Sequence, residues 1–280
     1  MKRIQGVKDS SEMFRNKLAI VGLFIIVILV FAAVFAPYLA PSNPFEQSLK
    51  GGLNPSSQEH PLGQDKLGRD NLSRIIYGSR ISVFVGLAVV GISLLIGTFI
   101  GSLAGYNGGW IDELFMRIVD ILLAFPGILL AIALTSVLGP SLNNVILALC
   151  VTGWVGYARI VRGQILTIRE REYIVAARAL GAKPPRIIMH HILPNILSPL
   201  IVETTFGMAA VILAEASLSF LGLGAQPPTP SWGSMLNEGV QFLLVAPHMT
   251  VFPGLAIMIT VLGFNFLGDG LRDTLDVRKD

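Results

Sequence analysis

Apolar residues in this chain come in long unbroken runs, not in the alternation of a half-buried strand or the single stripe of a surface helix. A membrane-spanning helix needs about 20 mostly apolar residues to cross the hydrocarbon layer. Six runs approach or exceed that length: 18–39, 81–104, 118–138, 143–160, 197–221 and 248–267. The turn-forming stretch "GPSLNN" separates the third run from the fourth. The first run follows a polar, basic start, as a signal peptide does, but it is longer than the usual 7–15 apolar residues and is read as an uncleaved span. The pattern predicts an all-α integral membrane protein of six transmembrane helices, with both termini on one side.

Charge decides which side. Lys2, Arg3, Lys8, Arg15 and Lys17 precede the first span. Arg159, Arg162, Arg169, Arg171, Arg178, Lys183 and Arg186 cluster between the fourth and fifth, Arg272, Arg278 and Lys279 follow the sixth, and Arg117 flanks the loop after the second. The opposite side receives only Lys50, Lys66, Arg69, Arg74 and Arg80. By the positive-inside rule the termini are cytoplasmic. The chain divides into a cytoplasmic start with the first span (1–40), an outer segment (41–80) and a core of five spans (81–280). A second outer segment, 222–247, carries no basic residue and several prolines. No internal repeat is evident, so the inverted-repeat signature of many secondary transporters is missing.

One cytoplasmic stretch breaks the apolar pattern: "EREYIVAARALGAKPPRIIMHHILPN", residues 170–195. Its alanines favour helix. Ala177 and Gly181 lie four apart on one face, where small residues admit a close neighbour. Gly181 can stop the helix, and Pro184 and Pro185 block its continuation. A second short helix is expected from Pro185 to about His191, with Pro194 ahead of the fifth span. The prediction is a helix-turn-helix elbow projecting into the cytoplasm, which a plain solvated loop would not explain.

Composition agrees with lipid as the solvent. Of 280 residues 52% are hydrophobic and 14% charged, against about 25% charged in soluble domains. The 29 glycines suit close helix packing. Cys150 is the only cysteine and lies in an apolar run, which excludes an internal disulfide.

Three acids fall in or near spans, where charge is costly and usually functional: Asp120, Glu203 and Glu215. Asp120 is expected to pair locally with Arg117 at i, i+3. Glu203, one turn into the fifth span, faces water or a partner helix. Glu215, deeper, lines the path or makes a structural hydrogen bond. His60, His190, His191 and His248 are scattered and form no recognised metal spacing. "PLGQDKLGRDNLSRIIYGSR" has glycines and basic residues but lacks the Gly-Lys-Ser/Thr end of a phosphate loop. No nucleophile elbow occurs. The chain is expected to be neither an enzyme nor a nucleic-acid binder.

The stretch "AARALGAKPPRIIMHHILP" resembles the cytoplasmic loop of ABC-importer permeases, with a glycine four positions after the second alanine and Leu-Pro twelve after the glycine. The usual Glu before the two alanines is Val175 here, and the usual Ile three before the proline is His191. "HPLGQDKLGRDNLSRIIYGSRIS", "RIVDILLAFPGILLAI", "ILAEASLSFLGLGAQPPTPSWGSML" and "FPGLAIMITVLGFNFLGDGLRDTLD" are similar, in the same order, to the C-type permeases of dipeptide, oligopeptide and nickel importers. The resemblance implies an inner-membrane permease of a bacterial importer working by alternating access, and makes the elbow a coupling helix that docks on a separate ATPase. Glu172, Tyr173, Ala176, Ala177, Ala179, Leu180, Gly181, Ala182 and Pro185 would form that contact. It further implies a heterodimer with a B-type permease, two ATPases carrying ATP and Mg, and an extracytoplasmic binding protein. Asp65, Gly68, Arg69, Asp70 and Trp232 are candidate contacts for the last. No cofactor is expected in this chain. Peptides are the expected cargo; nickel chelates, glutathione and haem are alternatives. A proton-coupled carrier using Asp120 or Glu215, a membrane enzyme and a purely structural subunit are the rivals.

Overall fold

A computed structural model describes residues 16–48 and 51–275. The basic residues Lys2, Arg3, Lys8, Arg15, Lys50, Arg278 and Lys279 lie outside them. The described residues contain helices and no strand. The first apolar run folds as α1 (Lys17–Val34), capped by the Asn16 side chain, and breaks at Phe35 into a short α2 (Ala36–Leu39). The second run is the core of α3 (Asn71–Asn107), a helix of 37 residues that begins well ahead of Ile81. Its start is fixed by Asp70, whose carboxylate accepts the Ser73 N–H at 2.7 Å. At about 1.5 Å per residue this helix is far longer than the hydrocarbon is thick, so its first turns stand outside the membrane.

The third run is not one straight span. It forms α4 (Gly109–Leu123) and α5 (Gly127–Leu138), bent by 83° where Pro126 withholds a backbone donor. The fourth run extends beyond its apolar stretch as α6 (Leu142–Ile168), with Ser141 capping it. The elbow follows as α7 (Glu172–Ala179) and α8 (Pro184–Ile187). A wide π turn, Ile188–Ile192, leads without interruption into α9 (Leu193–Phe220). The second leg and the fifth span are thus one rod, where a break at Pro194 was expected. The physical reason is local. Pro194 cannot donate to the carbonyl four residues back, and widening the preceding turn absorbs its ring, with the Leu193 N–H reaching back to the Ile188 carbonyl. An outer helix, α10 (Trp232–Val240), and α11 (His248–Leu275) complete the chain.

Packing settles the number of crossings. A Cβ added at Gly97 would meet Trp154 and Tyr157; at Gly101, Ala158 and Val161; at Gly105, Arg162 and Ile165. The two sets rise together, so α3 and α6 run parallel. The chain must recross the membrane between them, and only the bent α4–α5 pair lies there. Six crossings follow. At the other edge α1 and α11 run antiparallel, with Gly22 against Gly263 and Leu267, and Ala19 against Gly270. Asn16 donates to Asp273, joining the base of the first span to the end of the last.

The small residues at 97, 101 and 105 let backbones approach within side-chain-free distance. A Cβ at Gly101 would sit 2.5 Å from the Ala158 carbonyl oxygen. Gly101→Val should therefore force the two helices apart and cost about 1–3 kcal/mol. Thermal unfolding of the purified protein in detergent would show it as a lower midpoint; an unchanged midpoint would mean the helices are not in this register.

Candidate functional site

Three regions could carry function: the elbow, a cleft beside α9 and the outer cluster near α10. The elbow is closed by its own backbone. Gly181 adopts φ of +82°, which lets the Gly181 N–H reach the Arg178 carbonyl and the Ala182 N–H reach the Ala177 carbonyl. These two bonds form the left-handed helix stop that glycine favours. Ile174 and Ile187 are fully buried and pin the two legs to the core. Nearly everything else faces out. Glu172, Ala176, Ala179, Gly181 and Pro185 are exposed, Ala177 and Ala182 are half-buried, and Tyr173 is exposed. Leu180, at the tip, has 88% of its surface exposed.

Arginines tie the elbow to the 105–112 turn. Arg162 grips Asp112 at two points, 2.5 Å and 2.7 Å. Arg169 donates to the Gly105 carbonyl at 2.9 Å, and Arg178 lies over the Tyr106 ring.

The cleft, of about 870 Å³, opens where the cytoplasmic ends of α6 and α11 splay from α9. Glu203 lines it with Gln164, Arg171, Ser198 and Arg272. Asn195, Ser198, Val202 and Phe206 of α9 face it. Leu213, Ser217 and Phe220 continue the same face outward at spacings of three, four and seven, along an apolar groove of about 570 Å³. One side of the fifth span thus lines two openings, a polar one toward the cytoplasm and an apolar one toward the outside, with Phe206 packed against Gly268 between them. The other two intramembrane acids lie elsewhere. Glu215 is completely buried and accepts a hydrogen bond from Ser219 at 2.7 Å. Asp120 is exposed on α4. Arg117 does not pair with it; its partner is Glu113, one turn earlier, at 3.1 Å. An acid four residues before the base is the favoured order on a helix.

Outside the membrane, the expected docking residues are enclosed. Asp65, Gly68, Arg69, Asp70 and Trp232 are all buried, so their contacts lie within the chain and little of their surface is free for a binding protein. Asp65 contacts Arg69 at 2.5 Å and Arg74 at 3.4 Å. Glu238 contacts the same two arginines at 2.8 Å and 3.6 Å. Two acids against two bases let four ionic side chains leave water together. Asp70 caps α3 and holds His60 at 3.0 Å, and the Trp232 indole donates to the Ile75 carbonyl. The cluster fastens α10 to the 63–74 segment and α3. Sequence reasoning missed Glu238, although it is the only acid in 222–247 and faces a side whose bases are few. Arg69 and Arg74 are its counter-ions. Among the described residues no group of His, Cys, Asp and Glu could hold a metal ion.

Residues 97–280 match the family model of the binding-protein-dependent transport system inner membrane component. Residues 11–55 match that of the N-terminal TM domain of oligopeptide transport permease C. The chain is 51% identical over 265 residues to the dipeptide transport system permease protein DppC of Alkalihalophilus pseudofirmus, covering 95% of this chain and 87% of that one. It is 45% identical over 270 residues to the oligopeptide transport system permease protein OppC of Bacillus subtilis, covering 96% and 88%. It is 48% identical over 263 residues to the glutathione transport system permease protein GsiD of an Escherichia coli O6 strain, covering 94% and 87%. Among solved structures, an inward-facing conformation of the MetNI methionine ABC transporter superposes with a TM-score of 0.59 at 23% identity, covering 73% of this chain and 97% of that one.

Proposed function

Since the chain belongs to the family of binding-protein-dependent transport system inner membrane components, we propose that it is the C-type permease of an importer carrying dipeptides or oligopeptides into the cytoplasm by alternating access. It is a multi-pass subunit of the inner membrane, and the family works with ATPase and binding-protein partners. A homologous B-type permease is the natural second half. The two openings along α9 support this, because half a path needs another half to enclose it.

The observation that carries the mechanism is the unbroken connection from α8 through the π turn into α9. An ATPase seated on the exposed tip around Leu180 would push on a rod whose far side borders the path. Closure of the ATPase pair then becomes a displacement of the fifth span against α6 and α11, and the cleft around Glu203 opens or shuts. Glu203, which lines the cleft, takes the part of the acid of the path that Glu215 was a candidate for. The burial of Glu215 within its own chain supports a packing role for it, and the exposed Asp120 has no place along α9. On the outer face, the buried arginine cluster sets the shape of α10 and the 63–74 segment, while exposed neighbours such as Lys66, Leu244 and Val245 offer the surface a binding protein would touch.

Peptide as cargo is supported by the names of the dipeptide, oligopeptide and glutathione relatives, glutathione being itself a modified tripeptide. The test is to purify the tagged chain from native membranes, identify what accompanies it, and reconstitute the complex in vesicles. A second permease and ATPases should accompany it. Labelled dipeptide uptake should need ATP and survive collapse of the proton gradient. A lone chain, or uptake abolished by a protonophore with ATP present, would overturn the reading in favour of a proton-coupled carrier.

A further inference from the structure

We propose that Asp112 and Arg162 are positioning residues for energy coupling: their contact clamps the start of α4 to α6, the helix that carries the elbow, so that the stroke is spent on moving α9. The inference rests on the coupling role proposed above for the elbow.

Three arginines, two at the end of α6 and one on the elbow's first leg, contact residues 105–112, where α3 ends and α4 begins. Arg162 reaches Asp112 fifty positions away, Nε to Oδ1 at 2.5 Å and Nη2 to Oδ2 at 2.7 Å. A fork against a carboxylate fixes angle as well as distance, which a single point charge does not. Arg169, two helical turns on and therefore on the same face, donates to the Gly105 carbonyl at 2.9 Å. Arg178, on the first leg itself, stacks 5.9 Å above the Tyr106 ring centre. The turn they grip ends α3, whose glycines already seat it against α6. Elbow, 105–112 turn, α3 and α6 are thus joined on one side. On the other side, the route to α9 runs through the widened π turn and past the open cleft. A force applied at Leu180 meets a stiff support and a yielding rod. Remove the support, and the elbow shifts as a whole without opening the cleft.

The pair is partly exposed, with side-chain exposures of 32% for Arg162 and 17% for Asp112, and so is not a core element on which folding turns. A role in coupling and a role in stability alone are told apart by the ratio of solute moved to ATP hydrolysed. The assay uses the complete reconstituted transporter with its binding protein and a labelled dipeptide. Asp112→Asn removes the ion pair at constant size, and Arg162→Lys keeps the charge but loses the fork. ATP hydrolysis should stay within about twofold, while uptake per ATP should fall about fivefold in the first variant and about twofold in the second. The exchange of Asp112→Arg with Arg162→Asp should recover at least half of the lost ratio. An unchanged ratio in both single variants overturns the proposal, as does a parallel fall of hydrolysis and uptake. Should the single variants fail to assemble, the exchange decides: a ratio at least half the parent's supports the brace and a lower one overturns it. Leu180→Asp, run alongside, separates the two readings. If the ATPase still binds that variant normally, the elbow's role has failed whatever the brace does.

Discussion

Leu180→Asp should release the ATPase subunit from this permease while leaving the permease itself folded. Leu180 sits at the elbow's tip with 88% of its surface exposed, and its side chain supports nothing inside the chain. Surface changes away from packed features stay within about 0.5 kcal/mol of the parent, so the thermal midpoint should hold. At the proposed seat the same change places a carboxylate where an apolar anchor would be covered. Loss of such an anchor costs about 2–4 kcal/mol, and association should weaken by roughly 30- to 700-fold. Co-purification with the ATPase would report it directly, and ATP-dependent uptake should fall with it. Full retention of the ATPase would move the seat away from the elbow's tip.

The second large effect is one of stability, on the outer face. Asp65→Ala should destabilise the outer cap by about 3–5 kcal/mol, because it leaves two buried arginines with one acid between them. Arg69 and Arg74 are 4% and 2% exposed and cannot turn to water without unpacking α10. The same carboxylate also accepts the N–H groups of Leu67 and Arg69, so the turn at 65–69 loses its backbone fastening as well. The check is thermal unfolding in detergent, with proteolysis of the 41–70 segment as a local probe. A midpoint close to the parent's would mean that water already reaches the cluster. Loss of substrate delivery with the ATPase still bound would separate this variant cleanly from Leu180→Asp.

The spans were legible because lipid imposes a simple demand: every crossing needs a long apolar run, and basic residues mark one side. The elbow was legible for a different reason. Gly181 and the two prolines are backbone signals, and backbone signals act locally. What stayed hidden depends on partners distant in sequence. Arg74 is ordinary as a letter; its meaning comes from Asp65 and from Glu238, which lies on the far side of four spans. Arg162 likewise looked like one more cytoplasmic base until folding brought Asp112 to it. The bend in the third run had its signal in Pro126, but a hydropathy count averages over a proline and reports length alone. The continuity of Pro184–Phe220 erred the other way, since Pro194 reads as a break and the π turn that accommodates it leaves no mark in composition. Gly97, Gly101 and Gly105 announced a close contact without saying with what.

That π turn also fixes an azimuth. An α-helix advances about 100° per residue, so one additional residue in a single turn rotates everything before it relative to everything after it by that angle. The packing of α9 against α3 and α11 holds its cleft-lining face in one direction. The elbow's direction around the same axis is then set by the phase slip at Ile188–Ile192. A regular helix through these positions would point Leu180 and Pro185 roughly a quarter-turn away from the seat proposed for the ATPase. The same rod would still span the membrane, but its handle would face the wrong way.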